Sequence, residues 1–376
     1  MTHRPLKVLQ VVPALASGGV ERGTIEVAEA LIARGHEPII ISGGGRLVRK
    51  LEQIGAEHLE WPIGAKSPFT LRHVRPLRRL LVDRGIDILH ARSRVPAWVC
   101  LLAWRKLPPT TRPRFVTTVH GLYSVSRYSA VMTRGERVVA VSQTVRDYID
   151  KHYPQTPGDR IVVISRGVDP AEFSAESPDQ KWQDQFFADL PAAKDRPLVT
   201  LPGRLTRLKG HHDLLDVFTR LRDAGVDAAA LVVGGEDPKR LRYAAELRDR
   251  VRTLGLEDRV VFTGHRDDIR AIYAISNVIL SLSNKPESFG RTVLEPLTMR
   301  RPVIGYDHGG VGEILADVYP AGLVPPRDLD ALTDRIRQFL TDGAPPVPAE
   351  HPYTLERMLN SIINLYETLA AAPCDT

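Results

Sequence analysis

The feature that most constrains this chain is a repeated alternation of short apolar runs with helical patterns. Strand-like runs occur at 7–13 (KVLQVVP), 37–42 (EPIIIS), 86–91 (IDILHA), 114–121 (RFVTTVHG), 137–142 (RVVAVS) and 160–167 (RIVVISRG). Helical periodicity fills gaps between them, as over Val20–Arg34 and Gln143–His152. Apolar strands buried on both faces and separated by helices specify a parallel, doubly wound α/β sheet. The alternation pauses at GVDPAEFSAESPDQ, where Pro170 and Pro178 lie among small polar residues, and then restarts. The second series is PLVTLPGR, AAALVVGG, VVFTGH, NVILSLS, PVIGYD and AGLVPP, and a helical pattern over Leu355–Leu369 closes the chain. The spacing predicts two Rossmann-like domains, at 1–170 and 194–350. A linker is expected at 171–193, and a C-terminal helix within 351–376 that packs back toward the first domain. In open sheets of this kind, ligands bind beyond the carboxyl ends of strands. Two such sheets facing each other would make a cleft, with the chemistry on residues that directly follow strands.

Charge divides the halves. Residues 1–170 carry 26 Lys+Arg against 14 Asp+Glu, a balance of +12, whereas 171–376 carry 25 against 31. A basic N-terminal half suits an anionic membrane, a nucleic acid or a phosphorylated ligand. Cys100 and Cys374 are the two cysteines. They make neither a disulfide framework nor a metal cluster, and they fit a reducing cytoplasm. The N-terminal HRPLKVLQVVPALASGG imitates a secretion signal, but Gln10 and Pro13 break its apolar run, which reads instead as a first strand entering a Gly18-Gly19 turn. No stretch approaches the roughly 20 apolar residues that span a bilayer.

Four constellations follow strands. SGGVERG (17–23) places Gly18 and Gly19 where a backbone can approach a phosphate, or can simply turn. It lacks the G-x-G-x-x-G fingerprint of a dinucleotide enzyme. GRLTRLKGH (203–211) sets Arg204 and Lys209 at a strand-to-helix corner, where two cations can clamp a diphosphate. His120, in TTVHG, can meet a substrate hydroxyl or satisfy backbone groups. KPESFGRTVLEP (285–296) carries Glu287 in a loop and Glu295 about one turn into a helix, with Phe289, Gly290, Arg291 and Thr292 between them. Free amides at that helix start attract phosphate, and each carboxylate can accept two hydroxyls of a diol. Capping and dipole compensation would equally occupy an acid there.

Together, in order and spacing, these motifs resemble the retaining glycosyltransferases of the GT-B fold, family four (group 1). The resemblance also includes SRGVDPAEF and VVFTGH, while GGVERG, GGGRLV and HARSRVPAW are similar to a subgroup of bacterial envelope and lipopolysaccharide-core enzymes. It implies transfer of a sugar from a nucleotide-diphosphate donor, UDP- or GDP-linked, with retention. Glu295 would hold the ribose, and Arg204 with Lys209 the diphosphate. Gly18 and Gly19 would approach the phosphate. Glu287 and the Phe289–Thr292 backbone would hold the donor sugar. His120 would reach it near the reacting carbon, and Gly264, His265 and Arg266 would border the base. His120, Glu287, Arg204 and Lys209 are the candidate catalytic set. No cofactor is expected beyond the nucleotide-sugar co-substrate. Asp328-Leu329-Asp330 reads as a helix start rather than a metal site, so metal independence is expected.

The acceptor would meet the basic half. Arg46, Arg92 and Arg94 follow strand ends and are candidate grips for an acidic or phosphorylated acceptor. TLRHVRPLRRLLVDR puts Leu71, Val74, Leu77 and Leu80 on one stripe among arginines, with a helix starting only near Pro76. VPAWVCLLAW (Val95–Trp104) is either a core helix or an interfacial one. The expected protein is a cytoplasmic, peripheral enzyme on the inner face of the plasma membrane, glycosylating a lipid-linked or lipopolysaccharide-core acceptor. A nucleotide-sugar epimerase of the same fold is the nearest rival. A basic nucleic-acid-binding protein is the non-enzyme rival, disfavoured because no aromatic-rich recognition motif accompanies the cations.

Overall fold

The computed structural model describes residues 4–16, 18–236 and 241–372; Cys374 lies outside these. The chain divides into two compact units, one running to Arg166 and resuming at Leu355, the other Gly167–Thr354.

The first unit is a seven-stranded sheet of β1 (Lys7–Val11), β2 (Glu37–Ser42), β3 (Glu57–Glu60), β4 (Ile88–Ala91), β5 (Arg114–Val119), β6 (Arg137–Ala140) and β7 (Ile161–Val163). The order is β3-β2-β1-β4-β5-β6-β7, and every pairing is parallel. The second unit has six strands: β8 (Leu198–Pro202), β9 (Ala229–Val233), β10 (Val260–Gly264), β11 (Val278–Ser281), β12 (Val303–Tyr306) and β13 (Leu323–Val324). Their order is β10-β9-β8-β11-β12-β13, again all parallel. Strand order therefore reverses between β1 and β4 in one unit and between β8 and β11 in the other. Such reversal points are where adjacent loops part and leave room for a ligand.

Apolar runs became strands because both faces are covered: β8, β9, β11 and β12 are buried along their full length. The strand β3 has no apolar run to announce it. Its EHLE is only partly covered at the sheet edge, held by pairing with β2. Residues 171–193, expected to be a linker, belong to the second unit and contain the helix Gln180–Asp189. Asp179 caps it by accepting from the Trp182 amide at 2.7 Å. Trp182 stacks on Phe186, and Phe186 is buried with Leu198, Ala229 and Leu231. Prolines mark where this helix begins, while its aromatic face decides where it packs.

The helix Val74–Asp83 carries Pro76 in its first turn, where no intrahelical N–H is lost. It buries Val74, Leu77 and Leu81 and leaves Leu71, expected on the same stripe, 49% exposed. Leu71 lies in the preceding 3-10 turn, Pro68–His73, outside the helical period. The helix Arg94–Trp104 buries Pro96, Ala97, Val99, Cys100, Leu101 and Ala103, so most of it is core.

The helix Leu355–Ala371 packs Met358, Ile362 and Tyr366 against Val8, Val27 and Val116 of the first unit. Its anchor is polar. His90 on β4 is wholly buried, with Nδ1 2.5 Å from the Tyr366 hydroxyl and Nε2 2.7 Å from Thr118 Oγ1. Burial, and then the nearby Arg92 charge, hold His90 well below its ordinary pKa, so the ring is neutral. Tyr366→Phe keeps the packing but strips one imidazole nitrogen of its partner. The expected loss is about 1–3 kcal/mol, read as a lower denaturant midpoint with unchanged slope. An unchanged midpoint would show that this bond anchors nothing.

Candidate functional site

The loop after β8 and the loop after β11 face the reversal point of the second sheet. Gly203 opens the first, with φ of 139°, and the Lys209 stem lies across it where a Cβ would sit 3.1 Å from Lys209 Cε. Gly210 closes it at φ 72°, as the cap of the helix His211–Asp223. A Cβ there would be 2.0 Å from the Leu282 carbonyl oxygen, so only glycine permits this approach of the two loops. Lys209 Nζ then reaches Glu287 Oε1 at 2.8 Å. Ser283 donates a short hydrogen bond to the same oxygen. Glu287 Oε2 faces no donor among the described residues.

Burial pushes the Glu287 pKa up. The opposing Lys209 charge and hydrogen bond, the Ser283 hydroxyl and the His308 field outweigh it, and the carboxyl is held below its usual range. Glu287 is thus an anion and an acceptor, not a proton donor, near neutral pH. His308 Nε2 lies 2.7 Å from the Ser283 carbonyl oxygen, steadying the loop from the far side.

The same loop is pressed from β12. Gly309, at φ 61°, and Gly310 lie so close that Cβ atoms would come 2.7 Å from the Glu287 carbonyl oxygen and 2.2 Å from that of Phe289. The Gly310 amide donates to the Glu287 carbonyl at 2.8 Å. Phe289 is buried and edge-on to Tyr353, so it offers only backbone outward. The helix Arg291–Thr298 starts at Gly290, leaving its first amides without intrahelical acceptors. Glu295, one turn in, accepts from Arg291 Nε at 3.0 Å and bonds the buried Tyr273 hydroxyl, whose pKa burial raises well above normal. Ser283, His308, Gly309, Gly310 and Tyr273 went unremarked in the sequence. The DHGGVGE stretch (307–313) after β12 was the signal available.

Arg204 is exposed and makes no ion pair among the described residues. Gly264 ends β10 at φ 70° with open space beside it. His265 is exposed and pairs with Asp267 at 3.2 Å. Arg266 is engaged elsewhere: it pairs with Asp268 and lies over the Phe186 ring, so its side chain fastens the Gln180–Asp189 helix. Asp328 caps the helix Leu329–Gln338 by accepting from the Ala331 amide at 2.9 Å, and Asp330 pairs with Arg220.

In the first unit, Gly18 and Gly19 begin the helix Gly19–Ala33 after β1. Gly45 packs on the loop they leave: a Cβ would fall 2.4 Å from the Leu15 carbonyl oxygen. Arg46 donates to Ala16 O at 2.9 Å. His120 follows β5, half-buried, with Nδ1 3.0 Å from Arg166 Nη2. A guanidinium only donates, so Nδ1 accepts and the ring proton is on Nε2. Burial first, then the charges of Arg166 and Arg92, hold the ring well below its ordinary pKa and neutral. Arg92, expected as an acceptor grip, is 5% exposed and donates to Gln10 Oε1 at 2.9 Å. Its side chain is turned inward and braces Gln10 of β1 rather than standing exposed as expected. Arg94 donates to Ser129 and lies over the Tyr123 and Tyr128 rings.

Residues 17–172 match the family described as Glycosyltransferase Family 4, and residues 183–352 match Glycosyl transferases group 1. A solved glycosyltransferase from Rickettsia africae ESF-5 is 31% identical, with a TM-score of 0.86 over 99% of this chain and 100% of that one. The chain is a group 1 glycosyltransferase of the GT-B fold. N-acetyl-alpha-D-glucosaminyl L-malate synthase from Bacillus anthracis is 25% identical over 88% of this chain and 86% of its own. Lipopolysaccharide core biosynthesis mannosyltransferase LpsB from Rhizobium meliloti (strain 1021) is 28% identical over 56% and 57%.

For this glycosyltransferase the Glu287 pair has a pH signature. A depressed folded-state pKa contributes stability that is present above the unfolded value, near 4.5, and is lost as pH falls through the folded one. Glu287→Gln should therefore melt below the wild type at pH 7, with the gap closing as pH drops below about 4.5. A gap independent of pH would show that the carboxylate is not stabilised by Lys209.

Proposed function

We propose that this glycosyltransferase moves a sugar from a nucleotide diphosphate to a lipid-linked or lipopolysaccharide-core acceptor, with retention and without a metal ion. The Lys209–Glu287 pair at the β8/β11 reversal carries this reading. It sets a cation and a fixed acceptor side by side, next to the open amides of the Arg291–Thr298 helix. That combination suits a sugar joined to a diphosphate: Glu287 Oε2 accepts from sugar hydroxyls, while Lys209, exposed Arg204 and the amides meet the phosphates. Glu295, positioned by Arg291 and Tyr273, takes the ribose hydroxyls, as the family resemblance implies. Gly18, Gly19 and His120 Nε2–H are assigned to the donor on that resemblance as well.

The bond from the anomeric carbon to the phosphate oxygen breaks as negative charge gathers on the leaving diphosphate. Fixed cations and amides lower that barrier without reorganising. The acceptor hydroxyl attacks from the same face, and its proton passes to a leaving phosphate oxygen. Glu287 stays an acceptor throughout. The carboxylates of the one D-x-D triplet noted in the sequence are committed to a cap and an ion pair, which favours cations of the chain over a metal. The lipid-linked acceptor draws support from the basic first half and from the lipopolysaccharide-core relative. Among the described residues no helix is long and apolar enough to cross a membrane, so anionic lipid would be met peripherally.

A thermal-shift panel of UDP- and GDP-sugars tests the donor. One of them should raise the melting temperature by mass action. Glu295→Ala should weaken that donor roughly 10- to 100-fold through lost charged hydrogen bonds. If no nucleotide sugar stabilises the wild type, the donor reading fails. Turnover with the identified donor should be unchanged in excess EDTA and should fall about 10²- to 10³-fold in Lys209→Ala. Abolition by EDTA, restored by a divalent cation, would replace the cationic clamp with a metal.

A further inference from the structure

The first unit carries an apolar groove that the donor chemistry does not use. It encloses 470 Å³, within the roughly 300–1,000 Å³ of small-molecule sites. Pro68 and Leu71 form one wall; Val95, Trp98 and Leu102 of the Arg94–Trp104 helix form the other, with Tyr128 at the end. Beside it Phe69 is 81% exposed, and Leu71 and Tyr128 are 49% and 40% exposed. Apolar side chains gathered around one groove and left open to water make it a candidate contact site.

Three of the polar groups on its walls are already satisfied from within. Trp98 Nε1 donates to the Tyr128 carbonyl at 3.0 Å, Thr70 Oγ1 donates to the Ala65 carbonyl at 2.7 Å, and Ser67 Oγ accepts from the Phe69 amide at 3.3 Å. What remains facing the groove is largely hydrocarbon and ring. A peptide laid there would find few partners for its backbone, whereas a hydrocarbon chain needs none.

Charge selects the kind of chain. None of the lining residues is Asp or Glu, and the stretches around them, 61–82 and 88–135, contain none either against 13 Lys+Arg, with Glu60, Asp83, Asp87 and Glu136 the first acids beyond. Lys66 is on the wall; Arg72, Arg75 and Arg79 are exposed on the turn and helix that follow; Arg127 is exposed next to Tyr128. Arg105 and Lys106 are exposed beyond Trp104. Apolar residues with a rim of cations and no anion suit a bilayer surface bearing phosphate head groups.

We infer that this groove receives a hydrocarbon chain of an anionic membrane lipid, with the surrounding cations on the head groups. The inference rests on the lipid-linked reading of the acceptor and adds the place where lipid is held. It also gives the exposed Leu71 and the outward face of an otherwise buried helix a common task.

The test uses the full chain with vesicles of phosphatidylcholine, with or without phosphatidylglycerol, at low salt. Vesicles containing phosphatidylglycerol should bind the protein, and those without should not. Leu71→Asp should weaken binding at least about tenfold, since a buried leucine contact is replaced by an anion. Lipids brominated along the acyl chain should quench tryptophan emission in the wild type, and most of that quenching should vanish in Trp98→Phe while vesicle binding persists. Failure to bind, unaltered binding in Leu71→Asp, or quenching that is absent or the same in Trp98→Phe would each overturn the inference. The last result, with binding intact, would leave only charge contact with the surface. Nucleotide-sugar thermal shifts on the same variants separate the questions. A donor that stabilises Leu71→Asp as it does the wild type shows the fold and donor site intact, whichever way the lipid result falls.

Discussion

The ion pair between Lys209 and Glu287 is the contact on which the second unit's site depends. It joins loops from two strands that neighbour each other in space but lie far apart in sequence. It forms only because glycines let those loops close. Gly203 makes room for the lysine stem, Gly210 lets its helix begin against Leu282, and Gly309 and Gly310 press on the glutamate's own backbone. The result is an anion whose charge is fixed by a neighbour and whose second oxygen is still presented. A carboxylate so held is suited to gripping hydroxyls and poorly suited to delivering a proton.

A similar economy governs the first unit, where buried polar groups do the fastening. His90 sits between Tyr366 and Thr118, and Arg92 is turned inward onto Gln10. The C-terminal helix is therefore tied to the first sheet by a buried hydrogen bond, Tyr366 to His90, as well as by apolar packing. His120 is kept neutral in the same surroundings, with its tautomer set by Arg166. Neutrality suits it to donate one hydrogen bond rather than to compete with cations for a phosphate.

Much of this was legible in the chain. Strands buried on both faces announce themselves as nearly continuous apolar runs, and β8, β9 and β11 do so. Glycines and charged residues that directly follow such runs mark the sheet edge where ligands sit, which exposed Lys209 and Glu287 as candidates. The edge strand β3 was invisible because its stability comes from pairing with β2, not from its own residues. The Gln180–Asp189 helix was hidden by flanking prolines, although its aromatic face was there to be read. Leu71 shares a helical spacing with Val74, Leu77 and Leu80 in the sequence, but it lies in a 3-10 turn outside the helix that buries Val74 and Leu77.

The sequence by itself determined the doubly wound architecture, because periodicity is a local property; its motifs carried the family resemblance, and strand-end composition named the candidate site residues. Only the tertiary structure decided which charges are spent and which are offered. Arg92 and Arg266 look as available as Arg204 in the sequence, yet one is buried on Gln10 and the other pairs with Asp268 and lies over the Phe186 ring. Whether a cation is offered depends on what lies opposite it, and that neighbour comes from a distant part of the chain.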